Sequence, residues 1–242
     1  MKYPDDFVNK IIWGDCLLEM QNIPDKCIDM ILCDLPYGTT ACKWDTIIPF
    51  EPLWEHYKRI IKDNGAIVLT ASQPFTSALV MSNIKMFKYE WIWNKAISGN
   101  PLLAKHQPLK IHENICVFSK NKHFYNPEMR TGKMRIKGGG KSKLLNMEMS
   151  KSTNDQYYPI SIIKYSNAKR GIHPTQKPVA LFEYLIKTYT NEGDLVLDNC
   201  AGSGTTGVAC KNLNRNFILI EKEEKYCKIA EKRLNNTQES LL

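Results

Sequence analysis

A chain of 242 residues has room for one large α/β domain or two small ones with ample core. Its composition, 43% hydrophobic and 24% charged, is that of a globular protein, and no apolar run approaches the ~18 residues of a membrane span. The net charge of +8 is segregated: residues 101–170 carry 14 Lys and Arg against 4 Asp and Glu, which favours a polyanionic partner over a merely solvated surface.

In chain order, Met1-Lys2-Tyr3-Pro4-Asp5-Asp6 carries acid where a secretory signal carries base, so the protein is expected in the cytoplasm, away from membranes. Ile11-Ile12-Trp13 reads as a strand running into Gly14-Asp15-Cys16, a turn with an acid at its tip. Residues 27–33 read as a buried strand ending at Asp34. Helical spacing over Pro52 to Ile61 stops at Asn64-Gly65, and Ala66 to Thr70 is a further strand. Pro74 to Phe87 reads as helix, Tyr89 to Trp93 and His112 to Ser119 as strands. Lys120 to Arg170, with its three consecutive glycines among lysines, reads as loop or mobile insertion. Beyond it come a helix over Pro178 to Tyr189, a strand over Leu195 to Asp198, a helix over Thr205 to Leu213, a strand over Phe217 to Glu221 and a helix over Glu223 to Leu234. Strands alternating with helices imply a mainly parallel sheet covered on both faces.

Eight cysteines form no Cys-x-x-Cys pair and sit mostly in apolar segments, so they read as buried thiols, and no metal site is predicted.

Two segments carry chemistry. Asp34-Leu35-Pro36-Tyr37 closes a strand at the edge where open α/β sheets place ligands. Pro36 holds Leu35 extended, so the Asp34 carboxylate and the Leu35 carbonyl offer two acceptors side by side, suited to an amino group, and Tyr37 offers a stacking face. Taken alone, a strand followed by a Pro-Tyr turn is the plainer account. Gly202-Ser203-Gly204-Thr205-Thr206-Gly207 follows a strand and opens a helix, and Glu221 lies 19 residues after Gly202, where an acid meets ribose hydroxyls. Only 21 residues follow Glu221, too few for the second half of a dinucleotide fold. The rest of the sheet must precede the glycine loop, which argues against a dehydrogenase.

With that order the sequence resembles the beta-class amino-methyltransferases of DNA. Asp34-Leu35-Pro36-Tyr37 matches their catalytic motif, Leu197 to Thr206 their cofactor loop, and His173-Pro174-Thr175-Gln176-Lys177-Pro178 the element before that loop. Gly14-Asp15-Cys16 and His112-Glu113-Asn114 fall where the family has further motifs. Leu35 stands in place of a second proline, and Asn199-Cys200 where the family often has Pro-Phe.

The resemblance implies a Rossmann-like α/β methyltransferase fold dependent on S-adenosylmethionine, with a mainly parallel seven-stranded sheet, helices on both faces and a circularly permuted motif order. Residues 1–119 and 171–242 form its catalytic and cofactor-binding domain, and 120–170 a basic target-recognition insertion. It implies methyl transfer to the exocyclic amino group of adenine in DNA, with Asp34, Leu35, Pro36 and Tyr37 catalytic. Asp15, Cys16, Lys177, Asp198, Ala201, Gly202, Ser203, Gly204, Thr205 and Glu221 would hold the cofactor. Glu221 would take the ribose hydroxyls and Asp15 the adenine end. Lys177 would meet the methionine carboxylate or start a helix in solvent, and Asp198 would meet the ammonium group or brace the loop. Lys133, Arg135, Lys137, Lys141, Lys143, Lys169 and Arg170 are the candidates for DNA contact. A second copy of the chain and a cognate restriction nuclease are partners by analogy. Cytosine N4 as the target, or a basic nucleic-acid-binding protein without catalysis, are the alternatives.

Overall fold

Strands and helices alternate along most of the chain in a computed structural model that describes residues 2–39, 45–98, 100–137, 140–142, 147–149, 152–167 and 176–239. The first half contains β1 (Lys10–Trp13), α1 (Cys16–Glu19), β2 (Ile28–Asp34), α2 (Phe50–Ile60), β3 (Ile61–Ala71), α3 (Phe75–Ser82), β4 (Phe87–Asn94) and β5 (His112–Phe118). Then follow β6 (Arg130–Lys137), β7 (Gly140–Ser142), β8 (Met147–Met149), β9 (Ser152–Tyr157) and β10 (Ile162–Lys164). The chain closes with α4 (Val179–Tyr189), β11 (Leu195–Asp198), α5 (Thr205–Asn212), β12 (Asn216–Glu221) and α6 (Glu224–Glu239).

One sheet runs in the order β1-β12-β11-β2-β3-β5-β4-β10. Its pairs are parallel except β3 with β5 and β5 with β4. Alternation along the strands divides the core in two. Ile31, Cys33, Ile67 and Leu69 face one way, against Leu53, Trp54, Tyr57 and Ile60 of α2. Met30, Leu32, Val68 and Val196 face the other, against Leu181, Leu185 and Ile186 of α4 and Ala209 of α5. Burying each large side chain of α2 is worth about 1.5–3 kcal/mol, far above propensity differences of a few tenths, so packing decides this helix despite its aromatic content.

The chain leaves β2 through α2 towards β3 and leaves β11 through α5 towards β12, in opposite directions and over opposite faces. The neighbours β11 and β2 therefore mark the point where the strand order reverses, the usual crevice of an open α/β sheet.

Residues Met1–Asn126 with Ser161–Leu242 form one compact unit and Pro127–Ile160 another. Within the second, β6 pairs with β9 and β7 with β8, both antiparallel.

Two expectations change. The sheet has eight strands rather than seven, because β10 adds a parallel edge strand beside β4. The segment from 120 to 170, expected as loop, contains strands. Met134 and Ile136 of β6 remain 62% and 60% exposed. A ribbon without a buried face imposes no alternation on its sequence, and a three-residue strand such as β10 is too short to display one.

Candidate active site

β2 carries Asp34 to the carboxyl edge of the sheet, and β3 sets Thr70 opposite it in register. The Thr70 hydroxyl donates to Asp34 Oδ1. The Tyr37 hydroxyl lies 2.8 Å from the same oxygen and 3.0 Å from Thr70 Oγ1. Phe75 backs the Tyr37 ring, with centroids 5.2 Å apart and planes at 29°. Burial first, then the Asp34 charge, holds the Tyr37 hydroxyl well above its ordinary value, so it remains a proton donor. The Leu35 side chain is buried in the core, which fixes the backbone between these two residues. Beyond Tyr37, the carboxylate of Asp45 accepts from the backbone N–H groups of Gly38 and Thr39, each at 2.9 Å.

Lys177, expected at the cofactor's carboxylate or in solvent, is buried and donates to Asp34 Oδ2 at 2.7 Å. Its ammonium also lies 3.4 Å from Glu113 Oε2, and Lys95 donates to Glu113 Oε1 at 2.8 Å. Asp34, Lys177, Glu113 and Lys95 thus form a row of alternating charge. Burial acts to lower the Lys177 value, but Asp34 and Glu113 more than offset it and hold the ammonium above its ordinary range. Burial acts to raise Glu113, and Lys177 and Lys95 outweigh it, so Glu113 stays below the usual carboxylate value.

The glycine loop leaves β11, whose Leu197 is in register with Ile31 of β2, so the loop and the 34–37 segment start from adjacent strand ends. Asp198 is buried and braces the loop: it accepts from Cys200 N at 3.1 Å and from the Thr206 hydroxyl at 2.5 Å. Burial pushes its carboxyl up to about 7, partly relieved by these bonds. Gly204 sits at φ +75°, and a Cβ there would come within 2.7 Å of the Ala230 Cβ on α6, so the turn requires glycine. At the end of β12, Glu221 accepts from Gly202 N at 2.7 Å and Glu223 N at 2.8 Å, and burial raises its carboxyl. Asp15 caps α1 by accepting from Leu17 N at 3.0 Å. It follows Trp13, which is in register with Glu221, so both acids stand at one edge. Cys16 is buried beside it. Ala201, Ser203 and Thr205 are buried within the loop.

Several participants were not visible in the sequence. Arg233 donates through Nη1 to Ser203 O at 2.6 Å, Ser203 Oγ at 2.9 Å and Thr205 Oγ1 at 3.3 Å, clamping the loop from α6. Tyr57 donates to Asn199 Oδ1 at 2.6 Å, which gives the departure at Asn199 a structural partner. Thr70 has no motif of its own; only the pairing of β2 with β3 brings it to Asp34.

Of the basic candidates, Lys133 and Arg135 are exposed on β6, with the Arg135 guanidinium 4.7 Å from the Tyr157 ring centroid. Lys137 and Lys141 lie in β6 and β7. Lys143, Lys169 and Arg170 fall outside the described residues, as do His173, Pro174 and Thr175.

The edge from Asp15 to Glu221 suits a ligand with hydroxyl and ammonium groups. The Glu221 carboxylate has lone pairs beyond the two backbone bonds, and the glycine loop keeps side chains out of the approach to the start of α5.

Residues 28–232 match the family described as DNA methylase. The type II methyltransferase M.HpaI of Haemophilus parainfluenzae is 28% identical over 239 residues, covering 94% of this chain and 74% of that protein. The DNA adenine methyltransferase YhdJ of Escherichia coli (strain K12) is 30% identical over 245 residues, covering 93% and 82%. The crystal structure of the M1.HpyAVI-SAM complex aligns with a TM-score of 0.65 at 30% identity, covering 93% of this chain and 99% of that one. The cytosine-N4-specific PvuII DNA methyltransferase aligns with a TM-score of 0.67 at 16% identity, covering 95% and 89%, a likeness of fold alone.

Proposed function

The chain belongs to the DNA methylase family and is a DNA adenine methyltransferase dependent on S-adenosylmethionine, and we propose that Asp34, Leu35, Pro36 and Tyr37 perform the transfer to adenine N6. The observation carrying this reading is that the Asp34 segment and the glycine loop spring from the adjacent strands β2 and β11 at the point of strand reversal.

S-adenosylmethionine supplies an electrophilic methyl group on a sulfonium. Asp15, Cys16, Asp198, Glu221 and the loop from Ala201 to Thr205 would hold it, with Glu221 taking the ribose hydroxyls. The adenine amino group is a poor nucleophile because its lone pair is delocalised into the ring. Accepting its hydrogens at Asp34 and the Leu35 carbonyl favours a pyramidal nitrogen with a directed lone pair. The Asp34 carboxylate also meets the positive charge that develops on that nitrogen, a preorganised electrostatic contribution. The amino group is out of reach inside a duplex, so the base is extruded and stacks on Tyr37.

Among the described side chains of the basic candidates, exposed Lys133 and Arg135 neutralise phosphates in this reading. We propose the cytoplasm as the compartment; among the described residues no helix is long and apolar enough to cross a membrane. By analogy with related enzymes, a second copy of the chain and a cognate nuclease are the further partners we propose.

Mass spectrometry of nucleosides from DNA incubated with the enzyme and cofactor tests the reading. N6-methyladenine is expected. N4-methylcytosine would overturn the choice of base, and cofactor binding without any methylated nucleoside would favour a non-catalytic binding protein.

A further inference from the structure

We propose that Lys177 and Glu113 are positioning residues for methyl transfer: they fix the orientation of the Asp34 carboxylate. The inference rests on the reading of Asp34 as the acceptor of the adenine amino group.

An ionised carboxylate accepts hydrogen bonds; a protonated one turns one oxygen into a donor and loses the charge that meets the forming cation. Tyr37 and Thr70 contribute neutral hydroxyls to Oδ1. Among the described residues, the cation on Asp34 is Lys177, at 2.7 Å from Oδ2. With Oδ1 held by two hydroxyls and Oδ2 by the ammonium, the carboxylate has one orientation, and the second lone pair of Oδ2 is left for the substrate.

Glu113 explains how a lysine remains charged there. A buried ammonium with one partner is costly, and a second carboxylate at 3.4 Å, itself anchored by Lys95 at 2.8 Å, holds it in place. Glu113 enters on β5, whose antiparallel course brings its first residues to the same edge as the end of β3. Lys177 enters from the residues before α4. Three separated parts of the chain therefore converge on one carboxylate.

The split between rate and cofactor affinity separates positioning from a structural or cofactor-binding role. Lys177→Met removes the donor on Asp34 Oδ2 and frees the carboxylate to turn. Glu113→Gln removes the second carboxylate that holds the Lys177 ammonium in place. The experiment is single-turnover methylation at saturating DNA and S-adenosylmethionine, with cofactor affinity measured separately by calorimetry. In Lys177→Met the rate should fall about 100-fold or more, with cofactor affinity within about threefold of the parent. In Glu113→Gln the loss of rate should be smaller, and Lys177→Arg should recover part of the Lys177→Met loss. A parental rate in Lys177→Met, no recovery in Lys177→Arg, or a loss confined to cofactor affinity would overturn the proposal. Should Lys177→Met fail to fold, Lys177→Arg and Glu113→Gln decide by the same criteria: parental rates in both variants, or a loss confined to cofactor affinity, overturn it. A parent enzyme that methylates no DNA would instead refute the underlying reading of Asp34.

Discussion

Tyr57 and Asn199 are joined by a buried hydrogen bond of 2.6 Å between residues 142 apart in sequence, tying α2 to the loop that follows β11. The bond crosses from the helix layer of one crossover to the strand end of the other, at the point where the strand order reverses. Tyr57→Phe would leave Asn199 Oδ1 buried without that donor, a loss of about 1–3 kcal/mol. Urea unfolding should register it as a lower midpoint with an unchanged slope. A midpoint equal to the parent's would mean that the loop relaxes freely.

Asp34→Ala should lower methyl transfer by about 10²–10³-fold or more, the range for losing a preorganised electrostatic group. Cofactor affinity should stay within about threefold, because the glycine loop is braced by Asp198, Glu221 and Arg233 rather than by Asp34. Transfer of labelled methyl to DNA, read beside cofactor titration, checks both halves. Near-parental incorporation would refute the assignment.

Glu221→Gln keeps the side-chain shape but turns one oxygen into an amide donor. Either Gly202 N or Glu223 N then loses its acceptor. Bonds to a charged group are worth roughly 1.5–3 kcal/mol, so the dissociation constant for S-adenosylmethionine should rise about 10- to 100-fold. The rate at saturating cofactor should change little. Unaltered affinity by calorimetry would remove Glu221 from the cofactor site.

Asp198 sets a pH dependence. Burial places its folded-state value at about 7, above the ordinary 3.8, so the folded protein binds this proton more tightly than the unfolded chain. Its contribution to stability is therefore greatest in acid and declines as pH rises from about 4 to about 7, then levels off. Asp198→Asn removes that decline. Melting temperatures across the window, by scanning calorimetry, should fall less steeply for the variant than for the parent, and parallel curves would show that Asp198 is ionised throughout.

Lys133→Ala and Arg135→Ala should each weaken DNA binding across sequences alike. Each should also reduce the slope of log affinity against log salt by about 1, as expected for the loss of one phosphate contact. The two differ in their surroundings: the Arg135 side chain rests on Tyr157, whereas the Lys133 backbone carbonyl accepts from the Tyr157 hydroxyl. A salt slope unchanged in both variants would take DNA away from this face of β6.

The sequence by itself determined the elements and the chemistry-bearing segments, because both are written locally. Apolar runs marked β2, β11 and β12, a 3.6-residue stripe marked α2 and α4, and the glycine loop and the Asp34 motif each occupy a few consecutive residues. It missed β6, β9 and β10, since a ribbon with two exposed faces and a three-residue edge strand impose no pattern. What only the tertiary structure decided is which side chains meet. Register places Thr70 against Asp34, an antiparallel strand returns Glu113 to the same edge, and the entry to α4 sets Lys177 on the acid of the motif. Arg233 reaches the loop from a helix 28 residues beyond Thr205. Such meetings depend on strand order and pairing across the whole sheet, and nothing in a short window of sequence encodes them.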